Sequence, residues 1–122
     1  MYRPSKKELS DKLRDAREAV KAEAVFLLHQ EVIAEDAIDL GYAIGSELFE
    51  VLLELLEEAK PTHYAGGRPP QKSYKDDIDG LELFPFKIEN QRFECRVYLK
   101  FALKEGSLWL VSLHRDRPPK EE

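Results

Sequence analysis

Side chains in the C-terminal third of the chain have the types and spacing for phosphodiester chemistry. Arg96, Tyr98 and Lys100 alternate along one stretch, and His114 stands near the end of the next apolar run. Together they offer two cations, a phenol and an imidazole, a ring that can accept or donate a proton. When RNA is cleaved by its own 2′-hydroxyl, a base removes that proton, cations stabilise the charge at phosphorus and an acid protonates the leaving oxygen. Such a reaction needs no metal. Tyr98, Lys100 and His114 are therefore the candidate catalytic residues, and Arg96 is a candidate for holding substrate. Arg68, Lys72 and Lys75 join Arg96 in that second role. They belong to residues 61–80, which also hold His63, Tyr64 and Tyr74 and form the densest mixture of basic and aromatic groups in the chain. A cationic, aromatic segment suits phosphate and base contacts. The plainer reading makes these residues a polar outer sheet face and a flexible crossover loop.

The elements that must position them follow from hydrophobic periodicity. From Leu81 onward the period is two. Phe84, Phe86 and Ile88 alternate with Pro85 and Lys87, and Asn90-Gln91 makes a turn. Phe93, Cys95, Val97, Leu99, Phe101 and Leu103 then share one face of a second strand, with Arg92, Glu94, Arg96, Tyr98 and Lys100 on the other. Leu108 to His114 reads as a third strand. With a three-residue loop, Glu105-Gly106-Ser107, Lys104 pairs with Leu108, Leu103 with Trp109, Phe101 with Val111 and Leu99 with Leu113. The same register sets Tyr98 opposite His114 and Lys100 opposite Ser112. A two-residue turn would pair Leu103 with Leu108 and scatter the polar groups, so the packing argument favours the longer loop.

Upstream the period changes. Ser5-Lys6-Lys7-Glu8 fits a capping box, and Leu9, Leu13, Ala16, Val20, Ala24 and Leu27 recur every three or four residues. The pattern predicts helix from about 5 to 38, with His29 as the place for any break. Asp39 to Ser46 interrupts it, with Ser46 as the next cap. Leu48, Phe49, Leu52, Leu55, Leu56 and Ala59 then define a second amphipathic helix, stopped by Pro61. The expected fold is α+β: an N-terminal helical hairpin, its first helix long, packed on a three-stranded antiparallel meander. One domain spans 1–122, with helices over 5–60, the loop over 61–80, the sheet over 81–115 and a charged tail over 116–122.

Composition sets the limits. The chain has 122 residues, 43% of them hydrophobic, enough for one real core. Its formal charge of -5 argues against a general nucleic-acid coat. That charge is unevenly placed. Residues 1–60 carry eight basic and fourteen acidic side chains, whereas residues 61–122 carry eleven and ten. The acidic total therefore leaves room for a small cationic site. Cys95 is the single cysteine, which excludes an internal disulfide and a multi-cysteine zinc site; its place among core residues marks it as a buried structural thiol. His29, His63 and His114 lack metal-ligand spacing, and Asp76 to Gly80 reads as a charged turn instead of a calcium loop. No glycine-rich phosphate loop suggests a cofactor. No apolar run is long enough to cross a membrane, and the N-terminus lacks the apolar core of a signal peptide, so a cytoplasmic location is expected.

Val97-Tyr98-Leu99-Lys100, followed by Leu110-Val111-Ser112-Leu113-His114, resembles the RelE-like mRNA interferase toxins, most of all their MqsR branch. Asp39-Leu40-Gly41-Tyr42 and Glu47-Leu48-Phe49 stand where that family has a helix–turn–helix hairpin before its sheet, so the resemblance covers about residues 35–115. It implies a toxin of a toxin–antitoxin system, a metal-independent endoribonuclease acting on mRNA, with an antitoxin protein as partner. The family's strand tyrosine falls on Tyr98. The cationic residue near the end of its last strand falls on His114, where lysine is usual. Its Phe-Tyr-Lys-Ser sequence has Thr62-His63-Tyr64 as nearest counterpart, without the lysine, and the acidic total also departs from a generally basic family. The competing expectation is a non-enzymatic interaction module. In that reading the long helix pairs with another helix, forming a homodimer or a complex, and the acidic stretch 22–60 selects a basic partner.

Overall fold

A computed structural model describes residues 5–66, 71–73 and 75–116. Arg68, Tyr74 and the tail from 117 lie outside the described residues. Helix α1 (Lys6–Lys21) begins with the expected cap. The Glu8 amide donates to Ser5 Oγ at 3.0 Å, and the Ser5 amide donates to the Glu8 carboxylate at 3.2 Å. Leu9, Leu13, Ala16 and Val20 line its buried face.

The helix stops at Lys21, far short of residue 38. Glu23 adopts a left-handed backbone (φ 57°) and turns the chain into a short strand, β1 (Val25–Leu27). Two preferences outweigh the roughly 1–2 kcal/mol cost of that conformation. Val25-Phe26-Leu27 suits extended backbone, and the edge of the last strand supplies partners for it. The Leu108 amide donates to the Ala24 carbonyl at 2.8 Å, and the Leu28 amide donates to Leu110 at 3.0 Å. After β1 come α2 (Gln30–Leu40) and α3 (Ile44–Glu58). Gly41, at φ 94°, ends α2 in the left-handed conformation that glycine adopts without a Cβ penalty. Ser46 is not the cap of α3. Ala43 occupies that position, and its amide donates to the Glu47 carboxylate at 2.7 Å.

The expected hairpin is thus three helices interrupted by a strand, and the expected meander is one part of a larger sheet. β2 (Phe84–Asn90), β3 (Cys95–Lys104) and β4 (Ser107–Arg115) pair antiparallel, and β1 joins β4 in parallel, giving the order β1-β4-β3-β2. Leu13, Ile33, Leu52, Leu55, Phe86, Leu99, Phe101, Leu110 and Leu113 meet in the main core between helices and sheet. At about 1.5–3 kcal/mol for each large side chain removed from water, this interface holds the fold together.

The β3–β4 register is a hybrid of the two considered above. The turn is the short one. Lys104 pairs with Ser107, Leu103 with Leu108, Ala102 with Trp109 and Phe101 with Leu110. The register then shifts, leaving Val111 as an extra residue, and continues with Lys100 opposite Ser112, Leu99 opposite Leu113 and Tyr98 opposite His114. The expected pairs near the turn are therefore wrong and those beyond it right. Glu105 and Gly106 both have positive φ, 50° and 82°, as a tight two-residue hairpin turn requires.

The second face of the sheet is not entirely open. Ile78, Leu83 and Ala102 form a small core there, joined by Leu28, Leu81, Trp109 and Val111. The segment that covers it is folded on itself. Lys72 bridges Glu82, the Leu83 amide donates to Gln71 and the Ser73 amide to Leu81. The Lys104 ammonium donates to the Asp77 carbonyl at 2.9 Å. Residues 71–73 and 75–80 are thus part of a packed flap, not the featureless crossover expected for 61–80.

Candidate functional site

The shift at Val111 builds the site. A two-residue turn continued without interruption would set Leu113 opposite Tyr98 on the outer face. One extra residue returns Leu113 to the core, where it is fully buried, and brings His114 outward to meet Tyr98. The two rings stack with centroids 5.1 Å apart and planes 22° apart. The Lys100 ammonium stands 5.9 Å from the centre of the Tyr98 ring. Lys87 lies opposite Tyr98 on the far side, in β2. Lys87, Tyr98 and His114 therefore form one row across three strands, and Pro85, Lys100 and Ser112 form the next.

His114 Nδ1 is 2.6 Å from the Arg115 carbonyl oxygen. A carbonyl can only accept, so Nδ1 carries the hydrogen. In the neutral ring the lone pair is then on Nε2, which is the arrangement a general base needs. Burial pushes the Tyr98 phenol up from its ordinary value, and the nearby Asp116 carboxylate adds to the effect. Tyr98 consequently stays protonated and able to donate. A base, a proton donor and a cation occupy one patch.

Arg96 is one row further along. Its Nε is 3.4 Å from Glu89, and its guanidinium is 3.6 Å from Asp116. Asp116 also faces Lys87 at 3.6 Å, and its amide donates to the Arg96 carbonyl. Lys87 and Arg96 are about half exposed, so these pairs are weak and exchangeable. Beside them the chain after α3 runs along the free edge of β2. The Ala65 amide donates to Pro85, and Tyr64 bridges Phe86. This brings His63 to a shallow cavity of about 350 Å³ shared with Lys87, Glu89 and Arg96. The Lys60 amide donates to His63 Nδ1 at 3.0 Å, leaving the hydrogen of the neutral ring on Nε2. Nothing in the residue pattern places His63 or Lys87 with Arg96. The only hint was the cationic and aromatic density around Thr62-His63-Tyr64.

Tyr98, Lys100 and His114 thus come together, with Arg96 next to them. Lys72 and Lys75 line a different cavity, beside Leu28 and Val111, and Arg68 lies outside the described residues. Among the described residues no group of three or more His, Cys, Asp or Glu is arranged to hold a metal ion, and no helix is long and apolar enough to cross a membrane. Cys95 is partly exposed at the start of β3 and not fully buried as expected, because it packs at the margin of the core.

Surfaces that the sequence offered to a partner are largely engaged within the chain. Leu13 and Val20 of α1 are each 2% exposed in the main core. On α3, Glu47 and Glu50 grip Arg92 at 2.9 and 2.8 Å, while Glu54 and Glu58 accept from the Asn90 side-chain amide at 3.2 and 2.7 Å. No protein-family model, curated protein or solved structure matches this chain.

Proposed function

We propose that the outer sheet face around Tyr98 and His114 binds and cleaves RNA, as a metal-independent endoribonuclease of the mRNA interferase kind. The observation that carries the reading is the stacked Tyr98–His114 pair, with Nδ1 of the histidine tied to a carbonyl and Lys100 alongside. His114 Nε2 removes the proton of the 2′-hydroxyl, whose oxygen attacks the adjacent phosphorus. The bond from phosphorus to the 5′-oxygen breaks, and that oxygen takes the Tyr98 phenolic proton. The products are a 2′,3′-cyclic phosphate and a free 5′-hydroxyl, and Lys100 stabilises the charge that builds on the phosphoryl oxygens. In a cell such an activity would act as a toxin and call for an antitoxin protein covering this face.

The test is expression of the wild type and of the Tyr98→Phe/His114→Ala double variant. The wild type is expected to arrest growth and cut transcripts, leaving cyclic phosphate ends. The double variant is expected to do neither. Full cleavage by the double variant overturns the site. The interaction-module reading is weaker because the apolar stripe of α1 is buried; a partner would have to use exposed apolar residues such as Phe26, Val32 and Ile38.

A further inference from the structure

The cavity that holds Lys72 and Lys75 has a composition unlike the one at His63. It measures about 310 Å³ and lies between the flap (71–73 and 75–80) with Leu83 after it and the junction of β1 with α2. Leu28, Leu83 and Val111 make an apolar floor, and His29, Lys72 and Lys75 stand around it. Among the described residues its lining contains no carboxylate, whereas Glu89 lines the cavity at His63. Among the described residues neither lysine has a carboxylate within ion-pair distance. The flap holds the lysines in place through its backbone. The Lys75 amide donates to Ser73 Oγ at 3.1 Å, the Gly80 amide donates to the Ser73 carbonyl, and Ser73 itself is buried.

An apolar floor with two lysines among the residues around it matches the two halves of a nucleotide. The floor accepts the face of a base, and the lysines accept its phosphate. We infer that this groove is a nucleotide subsite, which takes the base and phosphate of a residue neighbouring the one cleaved at Tyr98 and His114. The inference rests on the RNA-cleaving reading for the identity of the polymer, but the groove stands on its own geometry. Val111 connects the two places. It forms part of the groove floor, and it is the extra residue whose insertion turns His114 outward. His114 is three residue steps along the strand from Val111, about 10 Å, so one single strand lying across the sheet can reach both.

The probe is 5′-AMP, with inorganic phosphate as the comparison, titrated into the full chain while backbone amide resonances are followed. AMP is expected to move the signals of Leu28, Lys72, Lys75 and Val111 and to bind at least about fivefold more tightly than phosphate alone. Lys72→Gln/Lys75→Gln is expected to weaken AMP binding at least about fivefold and, in RNA cleavage, to act chiefly by raising KM. AMP shifts centred elsewhere, equal affinity for AMP and phosphate, or an unchanged affinity in the double variant would each overturn the subsite. An acidic peptide that displaces AMP and binds more tightly would overturn it in favour of a protein ligand. The two readings fail separately. If the wild type binds AMP in the groove but cuts no RNA, the cleavage reading falls and the subsite stands. If cleavage depends on Tyr98 and His114 while AMP ignores the groove, the reverse holds.

Discussion

Arg92 and Arg96 flank the start of the same strand and lead opposite lives. Arg92 points to α3, where Glu47 and Glu50 hold it at 2.9 and 2.8 Å and Glu54 stands at 3.8 Å; its side chain is 26% exposed. Arg96 points to the outer face, loosely paired with Glu89 and Asp116, and is 53% exposed. The first belongs to a clasp that ties the β2–β3 turn to a helix. It includes Asn90, whose amide bridges Glu54 and Glu58 and whose oxygen accepts the Phe93 amide, and Tyr42, whose ring meets Phe93. The second belongs to a surface where cations can change partners. Charge type alone does not separate structure from function here. The number and closeness of the partners does.

The largest effect should come from the clasp. Asn90→Ala removes three hydrogen bonds from a nearly buried side chain and should cost about 2–3 kcal/mol in urea unfolding, with RNA binding unchanged. A comparable loss would come from alkaline pH. Burial, reinforced by Asp36, pushes the Tyr42 phenol up to about 12, whereas in the unfolded chain it ionises at about 10. Between those values the unfolded chain has released a proton that the folded chain retains, so stability falls as pH rises, by up to roughly 2–3 kcal/mol. Tyr98 adds to the loss in the same direction. Tyr42→Phe should remove the Tyr42 share. It should also raise neutral-pH stability by about 1 kcal/mol, since the Tyr42 hydroxyl has no hydrogen-bond partner among the described residues.

The arginines themselves should show the smallest effects and the sharpest contrast. Arg92→Ala should cost about 1 kcal/mol of stability and leave RNA affinity alone. Arg96→Ala should change stability by less than about 0.5 kcal/mol while lowering the slope of RNA affinity against salt by about 0.7. Matching losses of stability in both variants would erase the distinction drawn between them.

Much of this could be read from the sequence, for reasons that differ by element. The α1 cap was legible because Ser5 and Glu8 act on each other locally. The alternation from Phe93 to Leu103 identified β3 and put Tyr98, Lys100 and Arg96 on one face. The break after Lys21 was not legible. It turns on Glu23, a residue without the glycine or asparagine signature of a left-handed backbone, and on a parallel partner more than eighty residues away. The same distance hid β1 and hence the four-stranded sheet. The flap was obscured because Ile78 and Leu83 anchor it singly, with no period to reveal them. His63 and Lys87 joined Arg96 only when the chain after α3 was laid along β2.

The register of β3 and β4 has a wider meaning. A three-residue loop with no irregularity and a two-residue turn with an extra residue at Val111 give identical pairing from Lys100 onward. They differ only in where one surplus residue is stored. The hairpin therefore resembles a lattice with a dislocation that could sit at the tip or at Val111, and the stretch between the two positions changes phase as the dislocation moves. Leu108 and Leu110 face the core in one phase, and Trp109 and Val111 face it in the other. Placing the dislocation at Val111 selects the leucines for the main core and leaves Trp109 to stack on Phe26, 4.9 Å away on the outer face. The pairing of Tyr98 with His114 is common to both phases, so the candidate site needs the surplus residue but is indifferent to where it sits, while the floor of the neighbouring groove depends on its position.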